Sequence, residues 1–178
     1  MGNLKVLTIW QQYSYYYLQG MSATLKIAAV SVITSILFGI IIGIMRLSKN
    51  FAIRNVVAFY VSFIRGTPML IQIYIVYYSL SLNLSMFAAS VVALTVNASA
   101  YIGETVRGGI ESIDKGQMEA ARSLGMTHWQ AMQEIVIPQA IKSILPSLCN
   151  QFIILIKNTS MMSVIGVHEL MYNSNTVR

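Results

Sequence analysis

Charge is scarce in this sequence. Only 10% of its residues are charged, where an ordinary soluble domain carries about 25%. So few polar side chains cannot cover the surface of a soluble fold, and membrane burial is the simplest resolution. Cysteine is nearly absent. The single Cys149 excludes a disulfide framework, and its apolar stretch predicts a small buried residue. Histidine is limited to His128 and His168, in different segments, a poor basis for a metal centre. The net charge is +6, yet the basic residues are scattered singly and form no stripe for nucleic acid. Paired catalytic acids and a nucleophile–base set are lacking, which argues against a membrane-embedded enzyme. A Gly-rich Lys-Ser/Thr phosphate loop is also lacking, so an ATPase is not expected in this chain. Lys5 is the one early cation, no small-residue cleavage site follows, and Val6 breaks the myristoylation pattern. A cleaved signal and a lipid anchor are therefore not expected.

Long apolar runs are what the sequence does have. Residues 2–20 carry Trp10, Tyr13, Tyr15, Tyr16 and Tyr17, rings that favour the membrane–water interface. Residues 21–45 are long enough to cross a hydrocarbon core of about 30 Å. The next stretch, 56–82, is interrupted by Arg65-Gly66-Thr67-Pro68. Pro68 removes a helical donor and biases Thr67 away from helix, which predicts an amphipathic approach and then a span over about 68–82. Further spans are expected over 86–106 and 138–156. Residues 81–85 carry no charge and read as an external loop. Arg46, Lys49, Arg54, Arg107, Lys115, Arg122 and Lys142 gather at the proposed inner loops and their edges, against Lys5, Lys26, Lys157 and Arg178 at the outer ends. This distribution predicts an outside N-terminus. One domain is expected over 1–178, with a polar loop at about 111–137.

That loop carries the sharpest pattern. Glu119-Ala120-Ala121-Arg122-Ser123-Leu124-Gly125 is followed, nine residues after Gly125, by Ile135-Val136-Ile137-Pro138. Residues 119–124 are good helix formers. Gly125 can take the left-handed conformation that ends a helix. Thr127 can cap a second one, and Pro138 fits the first turn of a span. Two short helices at an angle, held beneath the membrane, would make a knob for a cytoplasmic partner.

The pattern resembles the Glu-Ala-Ala signature of ABC importer permeases, with Ile137 where Leu is usual. Residues Phe63 to Gln72, Asn97 to Tyr101, Arg107-Gly108-Gly109, Lys115-Gly116-Gln117 and Lys157-Asn158-Thr159-Ser160 resemble the polar amino acid branch of that family. The resemblance implies an all-α membrane protein, a type I ABC importer transmembrane domain. Four of the family's five spans are expected here, with the last helix lacking, together with a cytoplasmic coupling-helix loop. It implies no cofactor in this chain, with ATP and Mg on a partner subunit. The implied partners are an ATP-binding subunit, a second permease copy or paralogue, an extracytoplasmic amino-acid-binding protein and membrane lipid. Glu119, Ala120, Ala121, Gly125, Ile135 and Pro138 are the implied ATPase-coupling residues.

Polar groups inside spans are costly and are functional candidates by default. Asn97, Tyr101, Glu104 and Arg107 on the third span, with Gln151, Lys157 and Asn158 on the fourth, are candidate substrate-lining residues. Arg107 or Lys157 could take an amino acid's carboxylate and Glu104 its ammonium, with Asn97, Gln151 and Asn158 reading the side chain. The alternatives are an intrahelical Glu104–Arg107 pair and amides acting as interhelical glue. Asn158 stands where many relatives have Asp, and acids occupy the positions of Gln151 and Asn158 in basic amino acid relatives. A neutral polar cargo such as glutamine or cystine is therefore expected. An ion-gradient-driven transporter or channel is the competing class.

Overall fold

The computed structural model describes residues 2–79 and 83–177, with side chains from Gln11 onward. The outer-end cations Lys5 and Arg178, the Trp10 ring, and part of the expected external loop lie outside what is described. Every element among the described residues is helical. α1 runs Gly2–Arg46, α2 Phe51–Gly66 and α3 Met69–Tyr74, the last passing into a π turn at Ile75–Ser79. α4 spans Met86–Glu111, α5 Lys115–Ser123 and α6 His128–Ala131. A π turn at Met132–Val136 leads into α7, Ile137–Asn158. A 3₁₀ segment, Thr159–Ile165, precedes α8, Leu170–Val177.

Among the described residues, three helical stretches are long and apolar enough to cross a membrane, or up to four if the pair broken at Thr67-Pro68 is one span. The aromatic lead-in is not a separate element, because α1 is one helix of 45 residues. Gly20 is the first glycine after the helix's opening residue and no proline interrupts the run, so nothing local stops propagation. Similarly, α6 runs through its π turn into α7 without ending. Pro138 has no N–H to give, and the wider turn before it spares a conventional i→i−4 bond there. The Gln139 side-chain amide donates to the Ile135 carbonyl at 2.9 Å, sealing a backbone oxygen beside the proline.

Much apolar side chain stays exposed, including Ile33, Leu37, Phe59 and Phe63. In a bilayer this carries no hydrophobic cost, because lipid is as apolar as a protein core. Cys149 corrects an expectation here: it is exposed rather than buried. An apolar neighbourhood in the sequence does not mark the inward face when the solvent itself is apolar.

The chain forms two compact clusters. The first draws on Met1–Thr34, Thr67–Thr95 and Ile154–Arg178, the second on Ser35–Gly66 and Val96–Ile153. In the first, the Thr34 and Thr95 hydroxyls meet at 2.6 Å. Gln72 donates to the Thr67 carbonyl at 3.1 Å and to its hydroxyl at 2.8 Å, holding the chain at the proline break. The backbone N–H of Leu170 donates to the Thr24 hydroxyl at 3.1 Å, and the Asn173 side-chain amide to the Tyr16 carbonyl at 2.8 Å. These bonds tie α8 to α1.

In the second cluster, Val57, Val61 and Ile64 form the buried stripe of α2, packed with Ala100, Ile42, Tyr60 and Val96. The Tyr60 hydroxyl donates to the Val96 carbonyl at 2.9 Å. α1 and α4 approach through glycine: a Cβ at Gly39 would lie 2.4 Å from an Ile102 methyl, and one at Gly103 2.4 Å from an Ile42 methyl. Such contacts suit membrane helices, which associate by close packing of small residues. Gly103→Val is expected to separate the two helices at a cost of about 1–3 kcal/mol. Thermal unfolding of the purified chain in mild detergent measures this, and an unchanged midpoint would contradict the packing.

Candidate functional site

α4 ends at Glu111, and Asp114 restarts the chain as a helix by accepting the Gly116 N–H at 2.6 Å, so α5 begins capped. α5 stops at Leu124 through two bonds. The Met126 N–H reaches back to the Ala121 carbonyl at 3.2 Å and the Gly125 N–H to the Arg122 carbonyl at 3.1 Å, the full Schellman pattern. It needs a left-handed residue, and Gly125 supplies it with φ +87°. Arg122 adds a guanidinium bond to the Met126 carbonyl at 3.1 Å. Thr127 then caps α6: its hydroxyl accepts the Gln130 N–H at 3.2 Å while the Gln130 side chain accepts the Thr127 N–H at 2.8 Å. This reciprocal arrangement is a capping box.

The alanines of the pattern now have a physical role. α5 packs on α6 and on the following π turn, and Ala121 and Ala131 are both fully buried. Larger side chains there would hold the helices apart. Glu119 and Ala120 face outward, Ile135 is half-buried and Pro138 exposed. The knob also shows two large apolar groups that the motif does not include: Leu124 is 84% exposed and Trp129 65% exposed. A polar segment that exposes a leucine and a tryptophan offers anchors for another protein.

Above the knob, Arg107 bonds Glu104 from Nε at 3.1 Å and again from Nη2, and its Nη1 bonds Glu111. Arg46 of α1 brings Nε within 3.7 Å of Glu104 Oε2. The Arg65 guanidinium lies over the Tyr101 ring, 5.4 Å from its centroid, a cation–π contact. Glu104, Arg107 and Tyr101 are thus partnered within the cluster that also contains Asn97 and Gln151. Asn97 is buried and Gln151 half-buried.

Lys157 and Asn158 belong to the other cluster. Asn158 is half-buried at the end of α7. Lys157 lines a cavity of about 430 Å³ with Thr24, Thr159, Ser160, Glu169 and Ser174. Glu169 was not legible as a partner of this region, since no helical or strand period links it to Lys157. Its carboxylate accepts the Met171 and Tyr172 N–H groups at 2.9 and 2.6 Å, capping α8. Burial lifts its carboxyl above the usual carboxylate range, against those two donors, which pull it down. Acid residues missed in the same way include Asp114, whose cap is legible only once α5 is placed.

Among its described residues the chain is thus a helical protein with three, or up to four, stretches able to cross a membrane and a polar, capped knob before the last of them. The pattern of the family described as the binding-protein-dependent transport system inner membrane component matches residues 35–177. A candidate glutamine transport system permease of Rickettsia typhi is 38% identical over 178 residues, covering 98% of this chain and 82% of that protein. The arginine transport system permease of Bacillus subtilis is 39% identical over 160 residues, 88% of this chain and 73% of that protein. Among solved structures, an amino acid ABC transporter crystallised with histidines is 42% identical with a TM-score of 0.89, covering 93% of this chain and 79% of that one. A methionine ABC transporter in inward-facing conformations, at 21% identity and TM-score 0.75 over 92% of this chain and 87% of that one, shares the fold. The chain belongs to this family of ABC importer permeases, multi-pass proteins of the inner membrane.

The raised carboxyl of Glu169 sets a pH dependence. The folded state holds the proton more readily than the unfolded one. The anchoring of α8 is therefore expected to weaken as pH rises from the ordinary carboxylate range through the raised value, and to level off above it. Hydrogen exchange at the amides of α8, corrected for intrinsic rate and followed from about pH 4 to 7, reads this. Glu169→Gln should flatten the profile; a wild-type profile that is already flat would contradict the assignment.

Proposed function

We propose that the chain is the permease of an ATP-driven importer of polar amino acids, with the 111–137 knob as the docking element for the ATP-binding subunit. The observation that carries this is the capped knob itself, with Gly125 left-handed and Leu124 and Trp129 presented outward. ATP and Mg belong to the partner subunit, which hydrolyses the nucleotide. The N-terminus lies outside, so the knob faces the cytoplasm where ATP is found. An extracytoplasmic binding protein delivers the cargo, and a second permease copy or paralogue completes the pathway. Closure of the ATP-binding subunits shifts the permease between inward- and outward-facing states, each favoured by a different set of contacts.

Asn97, Tyr101, Glu104, Arg107, Gln151, Lys157 and Asn158 remain the proposed lining of the pathway. The amides Gln151 and Asn158 provide no charge to offset a cationic side chain away from water, which favours a neutral polar cargo such as glutamine or cystine. The relatives' names include both glutamine and arginine, so an uptake preference for arginine would overturn the cargo reading and leave the importer reading standing.

Two variants test the docking element. Leu124→Asp changes an exposed side chain without touching the fold, and Gly125→Val forces a β-branched residue into left-handed backbone. Each is expected to reduce co-purification of the ATP-binding subunit from detergent by roughly tenfold, the equivalent of about 1.4 kcal/mol. Retention at the wild-type level with both variants would show that the partner docks elsewhere.

A further inference from the structure

In the second cluster, arginines from three helices gather around one acid. Arg107 of α4 bonds Glu104 from two nitrogens and Glu111 from the third. Arg46 of α1 faces Glu104 at 3.7 Å. Arg65 of α2 interacts electrostatically with the same carboxylate, yet its situation differs. Its side chain is exposed and enters no hydrogen bond or ion pair among the described residues. Its guanidinium sits over the Tyr101 ring, 5.4 Å from the centroid, inside the reach of about 6 Å for a cation–π contact. Tyr101 belongs to α4, with Asn97 one turn before it and Glu104 one turn after. The chain leaves room here: a Cβ at the next residue, Gly66, would meet nothing within 4 Å.

A guanidinium carries five N–H donors in a rigid fork and has no acceptor. Held over a ring, it keeps those donors for a planar anion, and a carboxylate accepts two of them at once. Within a membrane an uncommitted cation is costly, so an incoming carboxylate that pairs with it is favoured. Arg107 does not offer such a fork, because two acids already occupy it. Arg54 also lies over a ring, that of Phe51 at 6.0 Å. That ring is on the same helix and 69% exposed, a local contact away from the polar face of α4. A cation in the last turn of α2 complements the helix dipole, but that role needs only charge, not a fork or a ring from another helix.

We infer that Arg65, positioned by Tyr101, receives the α-carboxylate of the amino acid cargo. The assignment rests on the importer reading above and adds Arg65 to the pathway lining.

Saturation-transfer NMR on the purified chain in mild detergent tests it with two probes, L-glutamine and L-glutaminamide, whose carboxylate is replaced by an amide. The wild type is expected to favour glutamine by roughly tenfold, the scale of a charge-assisted pair. Arg65→Gln should bring glutamine down to the level of the amide with helicity unchanged. Arg65→Lys, which keeps the charge without the fork, should restore only part of the preference. Tyr101→Phe should retain it and Tyr101→Leu should weaken it, while Arg54→Gln leaves it as it was. A preference that survives Arg65→Gln, or that Arg65→Lys restores in full, would overturn the inference. So would the absence of any preference in the wild type, both with these probes and with L-arginine and L-argininamide. Loss of the preference in vesicles containing phosphatidylglycerol would give the fork to a lipid phosphate and overturn it too. A preference seen only with the arginine pair, and lost in Arg65→Gln, would keep the inference while the neutral cargo reading fails. Leu124→Asp should leave the preference intact, so failure of the docking reading is read separately.

Discussion

Hydrocarbon offers no hydrogen bonds, and the rest of this structure depends on that constraint. Backbone polar groups in a bilayer have to be satisfied by the protein itself. The chain meets this with long helices and closes the places where a helix fails. At Thr67-Pro68 the Gln72 side chain bonds the Thr67 carbonyl. Beside Pro138 a π turn and the Gln139 amide take up the slack. Polar side chains are few, and several of those inside the helices bond a backbone carbonyl or one another, as Tyr60 does Val96 and Thr34 does Thr95.

The knob is the exception to this economy, and it is the region with the most chemistry on display. It is built from local bonds: a cap at Asp114, a Schellman turn at Gly125 and a capping box at Thr127. Its shape therefore does not depend on lipid. It connects to the spans directly, because α4 ends only a few residues before α5 and α6 runs on into α7. At the end of α4, Arg107 links Glu104 to Glu111, and Arg46 places α1 beside the same group. Ion pairs thus join the ends of α1 and α4, and the knob continues through the π turn into α7.

Local signals made much of this legible before the fold was known. The apolar runs located the spans, Pro68 located the break, and Gly125 and Thr127 marked the ends of two short helices. What escaped the sequence depends on distant segments or on the solvent. The continuity of α1 was missed because its ring-rich start was read as an interfacial lead-in, and the run-on from α6 to α7 because Pro138 was given too much weight as the start of a span. Cys149 was misplaced because apolar neighbours say nothing about the buried face in lipid. The pairing of Glu104 with Arg107 could be read as one alternative from their spacing, but the approach of Arg46 and of Arg65 to the same helix could not. Glu169 joins the surroundings of Lys157 only through the path of the chain after α7.

The central claim is that ATP hydrolysed by a docked partner drives cargo through this permease. Transport in proteoliposomes tests it most directly, with the permease reconstituted alongside its ATP-binding subunit and binding protein and with labelled glutamine supplied on the binding-protein side. The account predicts accumulation that requires ATP on the knob side and persists when ionophores collapse all ion gradients. Uptake by the permease alone, driven by an ion gradient and indifferent to ATP, would contradict it and make the chain a secondary transporter.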